Sequence, residues 1–278
     1  MDLLQFISVP SYLWSIYAFS IGVIIGSFLN VYIYRFHTGK SLSGSSHCMS
    51  CGKDLRWFEL IPLISWLALR GRCNKCGSLI TSRYFLVELV TGLLFLLTLT
   101  ITTDIISIVL WWYIFSVLVA ITVYDLYHFI IPDRLTIYIS IATILLFSYQ
   151  NLYLTNSFDN VLPTLAAAVL GSLFFYVLWF VSKGKWLGFG DVKLALPLGV
   201  LVGPAFVFSF VALSFWVGAA ISLAIVGFNK VKMGKDHLQI DQIAITMKSA
   251  VPFAPFLVAS SLIIIFTNFN ALALFSFA

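Results

Sequence analysis

The run "YLWSIYAFSIGVIIGSFLNVYIY", Tyr12–Tyr34, carries no charged side chain. Wound as an α-helix it rises about 35 Å, enough to cross the ~30 Å hydrocarbon core of a bilayer. The rest of the chain repeats the theme. Of its 278 residues, 61% are hydrophobic and 10% charged, against about 25% charged in ordinary soluble domains. Further apolar runs cover Tyr84–Leu99, Ile105–Tyr124, Leu135–Tyr149, Val161–Val181, Leu194–Val202, Ala205–Phe228 and Phe253–Asn268. The expected fold is an all-α polytopic membrane protein with about eight transmembrane helices. The sixth run is too short to cross unless it continues past the Gly203-Pro204 break.

The basic residues orient these runs. With the N-terminus outside, the inner segments are 35–83, 125–134, 182–193 and 229–252, and they hold all 16 Lys and Arg of the chain. The outer segments hold none but contain Asp2, Asp104 and Asp159. The positive-inside rule therefore places the long loop and the three shorter ones in the cytoplasm. The net charge of +5 reflects that topology; the expected partner is the lipid bilayer, and no nucleic acid. "MDLLQFISVP" lacks a basic n-region, so no cleaved signal is expected. Three parts follow: a first transmembrane helix (1–34), a cytoplasmic domain (35–83) and a membrane core (84–278).

All four cysteines lie in the second part, as Cys48-Met-Ser-Cys51 and Cys73-Asn-Lys-Cys76. Each C-x-x-C presents two thiolates from one tight turn, and two such turns complete a tetrahedral zinc site. Gly52 and Gly77 follow the pairs, where the turn needs a permissive backbone. Lys53, Arg72 and Lys75 lower the thiol pKa values and offset the charge of a four-thiolate centre. Disulfides are the competing reading, but the topology sets the loop in a reducing compartment. A four-thiolate site has no open position, so a zinc ion there staples the loop and performs no chemistry.

Two carboxylates end apolar runs at the same face: Asp125 in "ITVYDLYHFIIPDRLT" and Asp191 in "GKWLGFGDVKLALPLG". Acids at hydrocarbon are expensive and so are candidate functional groups. Brought together, they share one proton; the ionised member activates water and the protonated one polarises a scissile carbonyl. Gly188 and Gly190 would let the backbone turn sharply and a substrate strand approach. The plainer reading is that Asp191 caps a helix N-terminus. Asp133, after Pro132 and beside Arg134, is a structural cap candidate. Glu88 is a buried acid that reaches back to Arg83 or meets a substrate amine.

With these residues in place, the chain resembles the type IV prepilin peptidases, a bifunctional leader peptidase and N-methyltransferase family with G-x-G-D aspartic chemistry. The resemblance rests on "GSFLNVYIYR" (26–35), the paired C-x-x-C around "IPLISWLALRGRC", "SRYFLVELVTGLLF" (82–95), "DLYHFIIPDRLT", "LGFGDVKL" and "VPFAPFL". It implies a peptidase of the bacterial inner membrane, acting on its cytoplasmic side. Such an enzyme cuts the basic leader from prepilins or type II secretion pseudopilins between Gly and Phe. It then methylates the new amine with S-adenosylmethionine. Carried over by motif, Asp125 and Asp191 are the catalytic pair, and Cys48, Cys51, Cys73 and Cys76 match the cytoplasmic cysteine cluster.

Leu60 stands where many members have Asn, and Ala254 where Gly is common. Acids such as Asp54, Glu59, Asp236 or Asp241 are candidates to pair with a basic leader. No G-x-G-x-x-G follows a strand, so no dinucleotide-type cofactor site is readable; Asn30 and Arg35 are polar candidates for the methyl-transfer site. The alternatives are a peptidase without methyltransferase activity, a presenilin-like protease, or a membrane transporter or assembly scaffold whose acids carry ions.

Overall fold

The computed structural model describes residues 11–36, 41, 44–155, 159–233 and 251–274. Asp2, Lys40, Lys235, Asp236, Asp241 and Lys248 lie outside the described residues, as do the side chains of Lys230 and Lys232. Helices are α1 (Ser11–Arg35), α2 (Ile64–Ala68), α3 (Arg83–Thr98), α4 (Ile105–His128), α5 (Asp133–Tyr149), α6 (Val161–Ser182), α7 (Phe189–Val202), α8 (Val207–Met233) and α9 (Ala254–Thr267). The β pairing among the described residues is two isolated bridges, His47 with Asp54 and Arg72 with Leu79.

Each of the expected apolar runs is helical, but not all can cross unaided. Five helical stretches are long and apolar enough: Tyr12–Arg35, Ile105–His128, Asp133–Leu154, Val161–Ser182 and Val207–Ile225. The remaining α3, α7 and α9 have 16, 14 and 14 residues. Those lengths give roughly 24 Å and 21 Å, short of the hydrocarbon thickness. The sixth run does not continue through its Gly-Pro break. Gly203, at φ +76°, ends α7 in a conformation that excludes most side chains. Instead the helix reaches back to Phe189 and takes Asp191 into its first turn.

The chain divides into two compact units, 1–120 and 121–278. In the first, α1 lies against α3 through Gly22 and Gly26. A Cβ on Gly26 would stand 2.7 Å from Glu88 Cα, and one on Gly22 would stand 2.8 Å from Gly92 Cα. Lipid tails supply no water-driven force between helices, so close backbone approach and dispersion carry the association. The cysteine loop is pinned to α3. Trp66 packs on Phe85 with ring centroids 5.1 Å apart, and its Nε1–H donates to Ile80 C=O at 3.3 Å.

In the second unit, Phe175 of α6 is fully buried, with centroids 6.2, 6.0 and 6.0 Å from Phe210, Phe215 and Phe253. Ser172 of α6 donates to Val192 C=O at 2.9 Å, and Ser214 of α8 lies 2.8 Å from Ser260 of α9. These contacts fix the heads of α7 and α9, the two short helices on which the candidate site depends.

Candidate active site and metal centre

Asp125 lies in the last turn of α4 and is 4% exposed. The Ala254 N–H, first residue of α9, donates to its Oδ2 at 3.2 Å. A helix N-terminus leaves such donors without intrahelical partners and concentrates positive charge there, so a carboxylate is a favourable neighbour. Pro255, immediately after Ala254, fits the helix start because its missing N–H costs no bond. "VPFAPFL" thus contains a signal for a helix head, although sequence reasoning did not single out Ala254 as a partner of an acid.

Asp191 lies in the first turn of α7 and is 6% exposed. Its N–H donates to Gly188 C=O at 3.2 Å, and Gly188 N–H donates back to Asp191 Oδ2 at 3.1 Å. The acid therefore does cap its helix, as the plainer reading expected. It does something further. Asp191 sits ahead of the apolar part of α7, and burial first, then the negative charge of Asp125, push it up to about 7, against the Gly188 N–H. Desolvation and a like charge both favour the protonated acid. Cap and charge pair are one arrangement.

The glycines act differently from the expectation. Gly188 has φ −75° and ψ 148°, ordinary extended backbone, and Gly190 is helical. No sharp glycine-only turn exists there. Gly190 is small because a Cβ would lie 2.9 Å from Ile131 Cβ, so it lets the head of α7 meet the loop that follows Asp125. Asp133 also departs from its expected role. Pro132 occupies the cap position of α5, and the exposed Asp133 carboxylate accepts a 2.7 Å ion pair from Lys193 of α7. Lys193 also lies 5.0 Å from the Phe189 ring centroid. An exposed pair of this kind contributes roughly 0–1 kcal/mol, so its consequence is register between the first turns of α5 and α7.

In the first unit, the cysteine loop builds two matching turns. Cys48 N–H donates to Lys53 C=O and Gly52 N–H to Cys48 C=O, both at 2.9 Å; Cys73 with Ser78, and Gly77 with Cys73, repeat the pattern at 2.9 Å. Gly52 and Gly77 have φ of +65° and +70°, the conformation expected of them. The turns bring the four Sγ atoms within 4.8 Å of one another. A tetrahedral centre with Zn–S of about 2.3 Å requires S···S edges of about 3.8 Å; Cys48 and Cys76 Sγ are 3.8 Å apart. The donor set fits a metal ion. Backbone N–H groups of Cys51 and Ser50 pull the Cys48 thiol down to about 6, toward the thiolate a metal needs.

Glu59 braces this loop, accepting Lys53 Nζ at 2.9 Å and Arg56 N–H at 2.8 Å. Those bonds, the Arg56 N–H foremost, hold its carboxyl below the usual range. Asp54 accepts Ser45 Oγ–H at 2.7 Å. Arg35 donates to Ser41 C=O at 2.7 Å. Glu88 accepts the Leu63 N–H at 2.8 Å, a loop partner that sequence alone did not suggest.

These features define a class: a multi-pass membrane protein with two buried acids set at helix heads and a four-thiol centre after its first helix. Comparison with known proteins refines it. Residues 20–102 match the Bacterial Peptidase A24 N-terminal domain, and residues 112–223 match the Type IV leader peptidase family. A Myxococcus xanthus prepilin leader peptidase/N-methyltransferase is 38% identical over 70% of this chain and 59% of its own length. Counterparts from Dickeya chrysanthemi and Klebsiella pneumoniae are each 32% identical, over 73% and 72% of this chain and 80% and 90% of theirs. No solved structure matches the chain. The chain belongs to the type IV leader peptidase family, as its sequence blocks implied.

Proposed function

We propose that the chain removes the basic leader from type IV prepilins or type II secretion pseudopilins, using Asp125 and Asp191, and then N-methylates the new N-terminal residue. Family membership supports the activity. The observation that supports the residues is a pair of buried acids held at the heads of α7 and α9, with the charge of Asp125 acting on Asp191. The charge of Asp125 keeps the shared proton on Asp191. Asp125 then accepts a proton from water as the water oxygen bonds to the scissile carbonyl carbon. Asp191 gives its proton to the carbonyl oxygen. Collapse of the resulting gem-diol breaks the C–N bond, and the amine leaves with a proton returned from the pair.

The eight apolar runs are proposed as eight membrane segments, the sixth beginning at Leu194 so that Asp191 lies ahead of it, with the N-terminus outside and the acids facing the cytoplasm of a bacterial inner membrane. The support is that every Lys and Arg falls in an inner segment. A prepilin would then bring its basic leader to the cytoplasm and its apolar helix to the bilayer, with the Gly-Phe junction at the boundary. Cys48, Cys51, Cys73 and Cys76 would hold a structural zinc ion, which stabilises the loop when bound. S-adenosylmethionine supplies the methyl group. Purified protein given a synthetic prepilin tests the pair. The unaltered chain cuts; Asp125→Asn, Asp191→Asn and Asp125→Glu do not. Cutting by both Asn variants would reduce the acids to caps and overturn the assignment.

A further inference from the structure

The seam between α1 and α3 holds polar groups that neither the metal centre nor the paired aspartates use. Glu88, on α3, is 8% exposed. One of its oxygens accepts the Leu63 N–H at 2.8 Å, and Ser27 of α1 lies beside the carboxylate. A carboxylate offers about four lone-pair positions, so accepting capacity is left over. One turn along α1 from Ser27, Asn30 is 3% exposed. Its Nδ2–H donates to Tyr84 C=O at 3.0 Å, which fixes the amide's orientation. Its buried Oδ1 has no hydrogen-bond partner. Buried acceptors without donors are costly and uncommon in native proteins.

Spare acceptors and a negative charge on one seam complement a group made only of donors. An ammonium is such a group, with N–H bonds and no lone pair. We propose that Glu88 and Asn30 seat the methyl-accepting amine, the N-terminal ammonium freed when the leader is cut. The inference rests on the N-methyltransferase reading above. One N–H bond of the ammonium breaks and its proton passes to the Glu88 carboxylate, while Asn30 Oδ1 accepts a remaining N–H. The freed lone pair forms an N–C bond to the methyl of the sulfonium donor. The S–C bond breaks, its electron pair stays on sulfur as a neutral thioether, and the positive charge ends on the methylated nitrogen.

The competing role for Glu88 is a brace. Leu63 holds φ +59°, strained for a residue with a side chain, and the carboxylate secures its N–H. A brace needs an acceptor; a proton-accepting seat needs the charge. Glu88→Gln separates them, because glutamine Oε1 still accepts the Leu63 N–H. Glu88 lies in the unit 1–120 and both aspartates in the unit 121–278, so the two activities are expected to separate.

The test uses the full-length protein in lipid, with two synthetic peptides: an intact prepilin with a basic leader, and its mature form with a free N-terminal Phe. Radiolabelled S-adenosylmethionine reports methylation. Glu88→Gln is expected to lower methylation of the mature peptide at least 100-fold, within the range for loss of a general base, while cleavage stays within about twofold. Its residual methylation should follow the peptide amine's own titration near pH 8, unlike the unaltered chain. Asn30→Leu should raise the KM for the mature peptide more than it lowers kcat. Methylation by Glu88→Gln within fivefold of the unaltered chain makes Glu88 a brace and overturns the proposal. So does parallel loss of cleavage and methylation with a lowered melting temperature. No methylation by the unaltered chain overturns the methyltransferase reading itself, and this seat with it.

Discussion

Replacing Asp191 with Asn should make the protein more stable above neutral pH and inactive at every pH. The carboxyl is 6% exposed and pushed up to about 7 from an ordinary 3.8. A raised carboxylate pKa means the folded chain binds its proton more tightly than the unfolded chain does. Stability from this group is therefore complete below about pH 3.8 and is lost as pH rises through about 7. The whole shift corresponds to roughly 4 kcal/mol, of which about 3 kcal/mol falls between pH 5 and pH 8. Asparagine keeps an acceptor for the Gly188 N–H and never ionises, so it removes the slope. Thermal unfolding in lipid, measured from pH 5 to pH 8.5 on both proteins, isolates the effect as a difference curve that cancels other titrating groups. Cleavage by the unaltered chain should decline over the same upper range, because the proton-donating member is then lost. A flat difference curve, or an Asn variant that loses stability toward pH 8 as steeply as the parent, would refute the account of Asp191 as a buried acid beside Asp125.

Other consequences follow from the packing. Gly190→Ala sets a Cβ 2.9 Å from Ile131 Cβ, which shifts the head of α7 and should cut kcat about 100-fold; adding Ile131→Ala should restore much of it, and a double variant no better than Gly190→Ala would argue against that contact as the cause. Gly26→Ala, blocked at 2.7 Å by Glu88 Cα, should destabilise the α1–α3 pair by about 1–3 kcal/mol, read as a lowered melting temperature in lipid. Elemental analysis should find one zinc per chain, with Cys73→Ser reducing it at least tenfold, since the four Sγ atoms gather within 4.8 Å; such loss should make loop 44–81 sensitive to protease.

Much of this protein follows from one-dimensional information. Apolar run length determines a multi-pass helical membrane protein, because the bilayer core admits only backbone that satisfies itself. The cysteine spacing determines a loop that gathers four sulfurs, because a C-x-x-C turn presents two sulfurs from local geometry alone. Both signals are local or additive. The partners of buried groups are neither. Ala254 lies far along the chain from the Asp125 carboxylate it meets, and Leu63 is well separated from Glu88. Lys193 takes Asp133 away from the cap role that its place beside Pro132 suggested. Gly190 is small because of Ile131, a neighbour created by the approach of α7 to the loop after α4. Hydrogen-bond partners, close contacts and charge coupling depend on distances in space, and only the tertiary structure brings such separated positions together.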